Sequence, residues 1–469
     1  LAEEGKVLMF SMKRLEEEGE LRHLHVNQTT HAEKENSKGK GRVCLSPVNS
    51  RVGFPGYNES VDLAKHDEAY PMPHLPTVHD LAEMICVKQD KYPNVVLASA
   101  IVDVSGAYTQ FTQSVPSAKL HCTLAEFLQS GSTTELVVLV IVYLVGIFGD
   151  TRAGNVYCAF SKIIDEQHNA KEESKRSHTY IDDGILVDHP EYIKPSMRYY
   201  IFLIEALFGK GAVNKAKNVL RHGSCEAIGW HFDFAKWHVL PRQKGLAKLL
   251  LVLFKDIPVG ASTTNQKHLD TATGLLCWYC RCLPAGKSFI ASLFACSAKR
   301  SKKSSNQNPI VYLSSSARSD LDWWRALLLV AHHDRTLIAA SISSMRKWTS
   351  MLLDFILYTD ASTSVGCGGE AYKDDGGPPI DHLPGRQLRW TRLELDTFAS
   401  MGVSINVLEF FGAVYYLMLW VDLFRGKTVM LRCDNTSAVA WLLAGRARCG
   451  ELKTADAIVK LFTLFTLRN

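Results

Sequence analysis

No hydrophobic run in the chain is long enough to cross a bilayer. The most apolar stretch, Glu135 to Phe148 (ELVVLVIVYLVGIF), offers about 13 consecutive apolar residues where a spanning helix needs roughly 20, so it predicts a buried strand or helix and no membrane partner. A strong excess of one charge is lacking too. Lys and Arg number 53 against 48 Asp and Glu; the balance of +5, with a pI near 8.5, admits a polyanionic partner and excludes a dedicated basic tail. The 12 cysteines follow no disulfide pattern and no signal peptide precedes them, which predicts reduced thiols in a cytoplasmic or nuclear protein that is not secreted. Cys277, Cys280 and Cys282 include one C-x-x-C, but no second pair follows at zinc-ligand spacing, so they read as core residues. Internal repeats are absent, and so is an initial Met: the chain runs from Leu1 to Asn469, just past a helix-like stretch, which gives the expectation of a fragment.

What is present is ordinary globular material. With 469 residues, 46% hydrophobic and 22% charged, the chain can bury several cores, roughly three at about 150 residues each. Residues 1–40, rich in Glu and Lys and ending in Asn36-Ser37-Lys38-Gly39-Lys40-Gly41, read as a partly disordered lead-in. From Arg42 short strand-like pieces are broken by Pro47, Pro55, Pro71, Pro73 and Pro76, and His79 to Val87 has amphipathic helical spacing. Asn94 to Val104, Leu136 to Phe148 and Tyr180 to Val187 read as core stretches, Met197 to Phe208 and Val213 to Leu220 as helices, and Ala227 to Phe234 as a strand. A unit over 41–240 would close there. Residues 241–350 alternate helices with the basic run Lys299 to Asn308, a solvated loop. Residues 351–469 read as strand (Asp354 to Asp360), Gly-rich turn, helix (Asn406 to Leu423), strand (Thr428 to Cys433) and helix from Ser437.

Two groups of acids carry chemistry. Asp182 and Asp183 stand side by side in Tyr180-Ile181-Asp182-Asp183-Gly184, between strand formers, so the pair belongs at a hairpin tip. Adjacent carboxylates repel, and a divalent cation preferring oxygen stabilises such a pair. Asp103, at the end of a buried apolar strand, supplies a third acid, and three carboxylates suffice for the two metals of phosphoryl transfer. Alone, an Asp-Asp pair is more often a solvated turn.

Tyr180-Ile181-Asp182-Asp183 and Asp103-Val104-Ser105-Gly106-Ala107-Tyr108 resemble two motifs of the reverse transcriptases, the YxDD box and D-x-x-x-A-[FY]. The resemblance implies an α+β right-hand polymerase, with fingers and palm over 41–240 and a thumb or connection over 241–350. It implies a steric gate against ribose at Tyr108. Arg42, with the segment Gly56 to Asp62, is similar to the fingers element that holds the incoming triphosphate. Gly146-Ile147-Phe148-Gly149 with Ala153-Gly154 is similar to the second palm motif, where the glycine at Gly149 lets backbone approach nucleotide and template. The usual proline before the first glycine is missing, and Ala153-Gly154 replaces a small residue and proline. Lys217 matches a lysine that protonates pyrophosphate, and Gly229-Trp230-His231-Phe232 a primer grip.

Downstream, Asp360 ends an apolar strand, Glu409 lies on a helix and Asp434 closes another strand, so three acids from separate elements could share a metal pair that activates water. Each alone would pass for a cap or a strand end. Together, with Asp434-Asn435-Thr436-Ser437-Ala438-Val439, they resemble the retroelement ribonuclease H family, implying an α/β domain over 351–469 that stops short of that family's fourth acid. The order polymerase, connection, ribonuclease H is that of retrotransposon enzymes; Ser319 to Trp324 and Asn406 to Phe411 are similar to DIRS-type elements. The resemblance implies an RNA-directed DNA polymerase using Mg²⁺, with Mn²⁺ as the alternative, and as partners an RNA template, a DNA primer, an RNA–DNA hybrid and dNTPs. The irregular second motif keeps another reading open, an inactive remnant that folds and binds nucleic acid.

Overall fold

The computed structural model describes residues 5–24, 26–27, 29–33, 41–45, 58, 62–128, 136–147, 149–170, 176–298, 309–346, 352–444, 457–458 and 460. Residues 36–40 of the expected flexible turn, most of the segment Gly56 to Asp62, Phe148 and the basic run Lys299 to Asn308 lie outside the described residues. The chain divides into two compact units, Leu1–Ile228 and Gly229–Asn469, both mixing helix and sheet as an α+β fold does.

In the first unit the strands are β1 (Val7–Ser11), β2 (Val26–Asn27), β3 (Thr29–Glu33), β4 (Gly41–Leu45), β5 (Ala98–Asp103), β6 (Cys122–Leu128), β7 (Leu136–Tyr143), β8 (Ser177–Tyr180), β9 (Asp183–Asp188), β10 (Val219–His222) and β11 (Ser224–Ala227). One sheet has the order β1-β7-β6-β2. Its β7 is the apolar stretch: eight residues, six of them Val, Ile or Tyr, that suit a pleated surface better than a helix. Part of the expected lead-in joins this sheet, Val7 standing opposite Tyr143 and Val26 opposite Cys122. Arg42 lies on β4, opposite Ala32, and its side chain is outside the described residues.

The second sheet, order β10-β5-β9-β8, is antiparallel throughout. Among the helices of this unit are α1 (Met12–Glu17), α2 (Leu63–Ala69), α3 (Val78–Lys91), α4 (Val115–Leu120), α5 (Ala153–Asn169) and α6 (Ile193–Phe208). Tyr157 and Ile164 of α5 and Ile193, Tyr200 and Ile204 of α6 bury against Ala98, Ala100 and Val102 of β5. The helix expected over Val213 to Leu220 is not there. Val213, Ala216 and Leu220 have helical spacing, yet Val213 bridges to Val104 and Val219 to His222 pair with β5, so strand pairing outweighs a weak local preference.

The second unit begins with β12 (Trp230–Asp233) and β13 (His238–Pro241) and continues through β14 (Thr263–Asn265), β15 (Ile310–Tyr312) and β16 (Ala340–Ser341). Four helices, α7 (Gln243–Leu251), α8 (Gln266–Tyr279), α9 (Ala291–Ala298) and α10 (Ser315–His333), enclose Trp324, whose indole N–H donates to the Phe289 carbonyl at 3.1 Å. Cys280 and Cys282 belong to this region as buried thiols, and burial pushes Cys280 up to about 12. Cys277, Cys280 and Cys282 form no disulfide with any described residue.

The remainder holds β17 (Phe355–Ala361), β18 (Gly366–Lys373), β19 (Gln387–Arg389) and β20 (Val429–Arg432), in the order β19-β18-β17-β20, with β20 alone running parallel to its neighbour. Its helices are α11 (Arg392–Met401), α12 (Ile405–Leu419), α13 (Val421–Phe424) and α14 (Thr436–Ala444). Leu408, Tyr416 and Trp420 gather against Leu357 and Ala371 of β17 and β18. Gly369 is required there: a Cβ would stand 2.5 Å from the Tyr416 ring. Phe410 and Trp441 seat α14 on the other side of α12.

Candidate active sites

The first cluster follows from strand register. Asp103 at the end of β5 stands opposite Asp183 at the start of β9, and Tyr180 pairs with Asp183 across the hairpin, leaving Ile181 and Asp182 as a two-residue turn. Ile181 has φ +53°, a left-handed conformation that a β-branched residue adopts at a cost on the order of 1–2 kcal/mol; such strain tends to collect at functional sites. Asp103 is buried, and Lys217 Nζ donates to its Oδ1 while the Asn218 amide oxygen accepts from its backbone N–H at 3.2 Å. The turn that replaces the expected helix delivers that lysine, pinned by Asn214 N–H to the Asp103 carbonyl at 2.8 Å. Three acids and a lysine from three segments therefore meet at one end of the sheet.

Beneath them is an aromatic floor. A Cβ on Gly184 would stand 2.3 Å from the Tyr200 ring, whose hydroxyl shares a 2.6 Å hydrogen bond with Thr179. Tyr157 is fully buried and its hydroxyl has no hydrogen-bond partner among the described residues; burial first, then Tyr200 and the charges of Asp182 and Asp103, push its pKa up. The Tyr108 ring meets Tyr157 edge-on at 6.0 Å. Gly146 lies where a Cβ would collide with the Tyr108 carbonyl and the Phe111 ring, so glycine is needed for that close approach.

His168 supports the hairpin from behind. Ser177 Oγ donates to Asp165 at 2.6 Å, so the 2.9 Å contact with His168 Nδ1 makes Nδ1 the donor, while Nε2 lies 3.1 Å from Ser196 Oγ and 3.2 Å from the Ser196 carbonyl. Burial and the charges of Arg176 and Lys88 lower its pKa to about 3, so the ring is neutral and Nε2 accepts from Ser196 Oγ.

No protein-family model and no curated protein matches the chain. Solved structures of a foamy viral protease-reverse transcriptase do resemble it. The complex with RNA/DNA hybrid aligns at 13% identity and a TM-score of 0.45, over 93% of this chain and 48% of its own. A dRH form with double-stranded DNA gives 15%, 0.46, 96% and 66%, and another complex with double-stranded DNA gives 14%, 0.46, 89% and 71%. This chain spans about half the length of the first.

The second cluster joins β17, α12 and the end of β20. Glu409 is buried on α12. Burial, together with the charges of Asp360 and Asp434 and a hydrogen bond with Asp360, pushes it up to about 7 against the pull of the Ala361 N–H. Cys433 Sγ donates to Glu409 Oε2 at 3.8 Å, and Glu409, Cys433 and Asp434 offer ligand atoms within 4.8 Å of one another. Carboxylates crowded until one keeps its proton near neutrality fit a divalent cation that would discharge the repulsion.

Asp103, Asp182 and Asp183 thus come together, as do Asp360, Glu409 and Asp434. Tyr108 is joined to the first cluster through Tyr157. Gly149, φ +87°, lies in the turn before α5. Sequence reasoning missed Tyr157, Cys433, and the partners of Gly149 described below; an aromatic four residues past the start of α5 was a readable signal only for the first.

Proposed function

We propose that the chain is a reverse transcriptase, an RNA-directed DNA polymerase of a retrotransposon, with an associated ribonuclease H-like hydrolase. The observation that carries this is the register of Asp103 against Asp183, with Asp182 in the turn and Lys217 on Asp103. Asp103, Asp182 and Asp183, and separately Asp360, Glu409 and Asp434, would hold Mg²⁺ or Mn²⁺, which when bound neutralises phosphate charge and lowers the pKa of the attacking hydroxyl or water. Tyr108 would lie under the incoming sugar and exclude a 2′-hydroxyl; Arg42 would hold the triphosphate and the Gly149 backbone would face nucleotide and template. Lys217, a solvent-reaching ammonium tethered to Asp103, can release that carboxylate and give its proton to the departing pyrophosphate. Glu409 can take up or release a proton near neutral pH. The partners are an RNA template, a DNA primer, dNTPs and the RNA–DNA hybrid that extension produces.

The test is primer extension on an RNA template with Mg²⁺, comparing the chain with an Asp182→Asn, Asp183→Asn double variant. Extension that falls at least about 1,000-fold in the folded variant is expected for removal of metal-holding carboxylates. Absence of extension by the folded unmodified chain would leave the inactive, nucleic-acid-binding remnant.

A further inference from the structure

The turn after β7 departs from the pattern it resembles, and the chain holds it by polar contacts from distant segments. The Asn58 carboxamide reaches it twice: Nδ2 donates to the Gly149 carbonyl at 2.7 Å, and Oδ1 accepts from the Thr151 N–H at 3.1 Å. Asp150 points inward, its side chain 4% exposed, and its carboxylate receives His121 Nε2 at 3.0 Å and the Arg152 N–H at 2.8 Å. His121 is fully buried at the end of α4; its Nδ1 faces the Ser117 carbonyl at 2.8 Å, so each ring nitrogen lies against an oxygen. Burial alone would raise the Asp150 pKa, but the bonds from His121 and Arg152 and their charges hold it below the usual carboxylate value.

A buried ion pair is weak evidence for stability, because desolvation consumes most of the attraction; its attested use is to specify one arrangement. Here that arrangement is a left-handed Gly149 followed, after Asp150, Thr151 and Arg152, by α5, with the Ala153 N–H donating to the Asp150 carbonyl at 3.2 Å. One turn further on, α5 places Tyr157 beside Asp182 and Asp103.

We infer that Asn58, His121 and Asp150 form a positioning clamp that fixes the Gly149 turn and the start of α5, doing with polar contacts what a rigid proline would do, and so sets the affinity for the incoming deoxynucleoside triphosphate. This rests on the polymerase reading. The clamp residues are positioning residues: they hold the backbone that meets the nucleotide and leave the carboxylates in place. Steady-state extension with varied dNTP, by Asn58→Ala and Asp150→Asn variants of the full chain, is expected to show KM raised about 5- to 30-fold with kcat changed less than about 3-fold. Asn58→Asp, which keeps the acceptor for Thr151 but sets a carboxylate oxygen against the Gly149 carbonyl in place of Nδ2, should raise KM at least as much as Asn58→Ala.

Hydrogen exchange without nucleotide supplies a second readout. The Thr151 amide is expected to exchange at least about tenfold faster in Asn58→Ala, with β5 unchanged as the fold control. Should Asp150→Asn fail that control, Asn58→Ala, altered at a partly exposed residue, still decides. Unchanged exchange in Asn58→Ala overturns the clamp, and faster exchange with unchanged KM overturns its role toward the nucleotide. Faster exchange in a chain that does not extend primers at all would sink the polymerase reading, and the nucleotide role with it, while the clamp on the turn stands.

Discussion

Asp103 and Glu409 are both buried carboxylates beside further acids, and the chain relieves them differently. Asp103 receives an ammonium from Lys217, 114 residues away in sequence. Glu409 borders Asp360, Asp434 and the Cys433 thiol, and it is relieved by keeping a proton up to about pH 7. A retained proton must be expelled before a metal can take its place. The second cluster should therefore bind metal more tightly as pH rises through about 7.

The largest expected effects separate the two clusters outright. Asp182→Asn with Asp183→Asn should abolish extension and leave hydrolysis of the RNA strand of a hybrid unchanged, and Asp360→Asn should do the reverse. Assaying both activities on each variant checks this; loss of both activities in either variant would mean that the clusters are not independent.

Next in size is an opposite response of stability to acid in the absence of metal. His168 is buried and neutral with its pKa lowered to about 3, while an unfolded histidine titrates near 6.5, so the unfolded chain binds more protons between those values. The stability it leaves intact above pH 6.5 is lost as pH falls toward 3, on the order of 2–4 kcal/mol. Glu409 has the opposite sign. Its pKa is raised from 4.5 to about 7, so the folded chain binds the extra proton, and stability present below pH 4.5 declines by about 1–2 kcal/mol, allowing for screening, as pH rises through 7. Hydrogen exchange in EDTA should show β9 losing protection and β17 gaining it as pH drops from 7 to 5, once intrinsic exchange rates are divided out. Parallel behaviour of the two strands would break the contrast.

How much of this the sequence reveals depends on how far apart the partners lie. Asp103 was readable as the acid closing an apolar strand, and Asp182 and Asp183 as a hairpin tip, because strands and tight turns write their signals within about ten residues. Asp360, Glu409 and Asp434 were readable as acids at element ends for the same reason. The Lys217 bond to Asp103 and the Asn58 bonds to Gly149 join segments whose only common property is tertiary proximity. Val213 to Leu220 was misread because its apolar spacing is helical, and its pairing with β5 has no local signature. Asp150 stands in a loop, and nothing in its neighbourhood announces a buried histidine 29 residues earlier.

The two sheets also share a device, a strand glycine laid flat against a tyrosine ring, and it sharpens the comparison. Gly184 faces Tyr200 and Gly369 faces Tyr416, with a Cβ standing 2.3 Å and 2.5 Å from the respective rings. Neither ring can step aside cheaply, since Tyr200 is bonded to Thr179, and Tyr416 donates to the Cys367 and Arg386 carbonyls. Alanine at either glycine should cost about 1–3 kcal/mol by overpacking, measurable as a lower urea midpoint. Gly184→Ala has a second consequence, because it displaces the residue next to Asp183 and should lower extension as well as stability. Gly369→Ala lies one position from the partner of Asp360 and acts through the strand backbone alone. Restoring room with Tyr200→Phe would not help, since the ring carbons remain in place, whereas Tyr200→Leu combined with Gly184→Ala should recover part of the lost stability. If Gly184→Ala alone left the midpoint unchanged, the close approach of hairpin and helix would not be the constraint on this glycine.

The smallest effects come from the two capping boxes. Thr77 caps α3 with Asp80, and Thr391 caps α11 with Glu394, each side chain taking an N–H from the other residue's backbone. Thr→Ala removes one such bond and should cost about 1 kcal/mol at an N-cap. The Asp80 carboxylate is buried and also accepts from the Thr77 hydroxyl at 2.7 Å and meets His74 Nε2 at 3.0 Å, whereas Glu394 is exposed. Thr77→Ala leaves a buried acceptor short of one partner, and Thr391→Ala leaves water to replace it. The first variant should therefore lower the urea midpoint of its unit more than the second lowers its own, by a difference of about 0.5 kcal/mol; equal losses would show that burial of Asp80 contributes nothing to the cap.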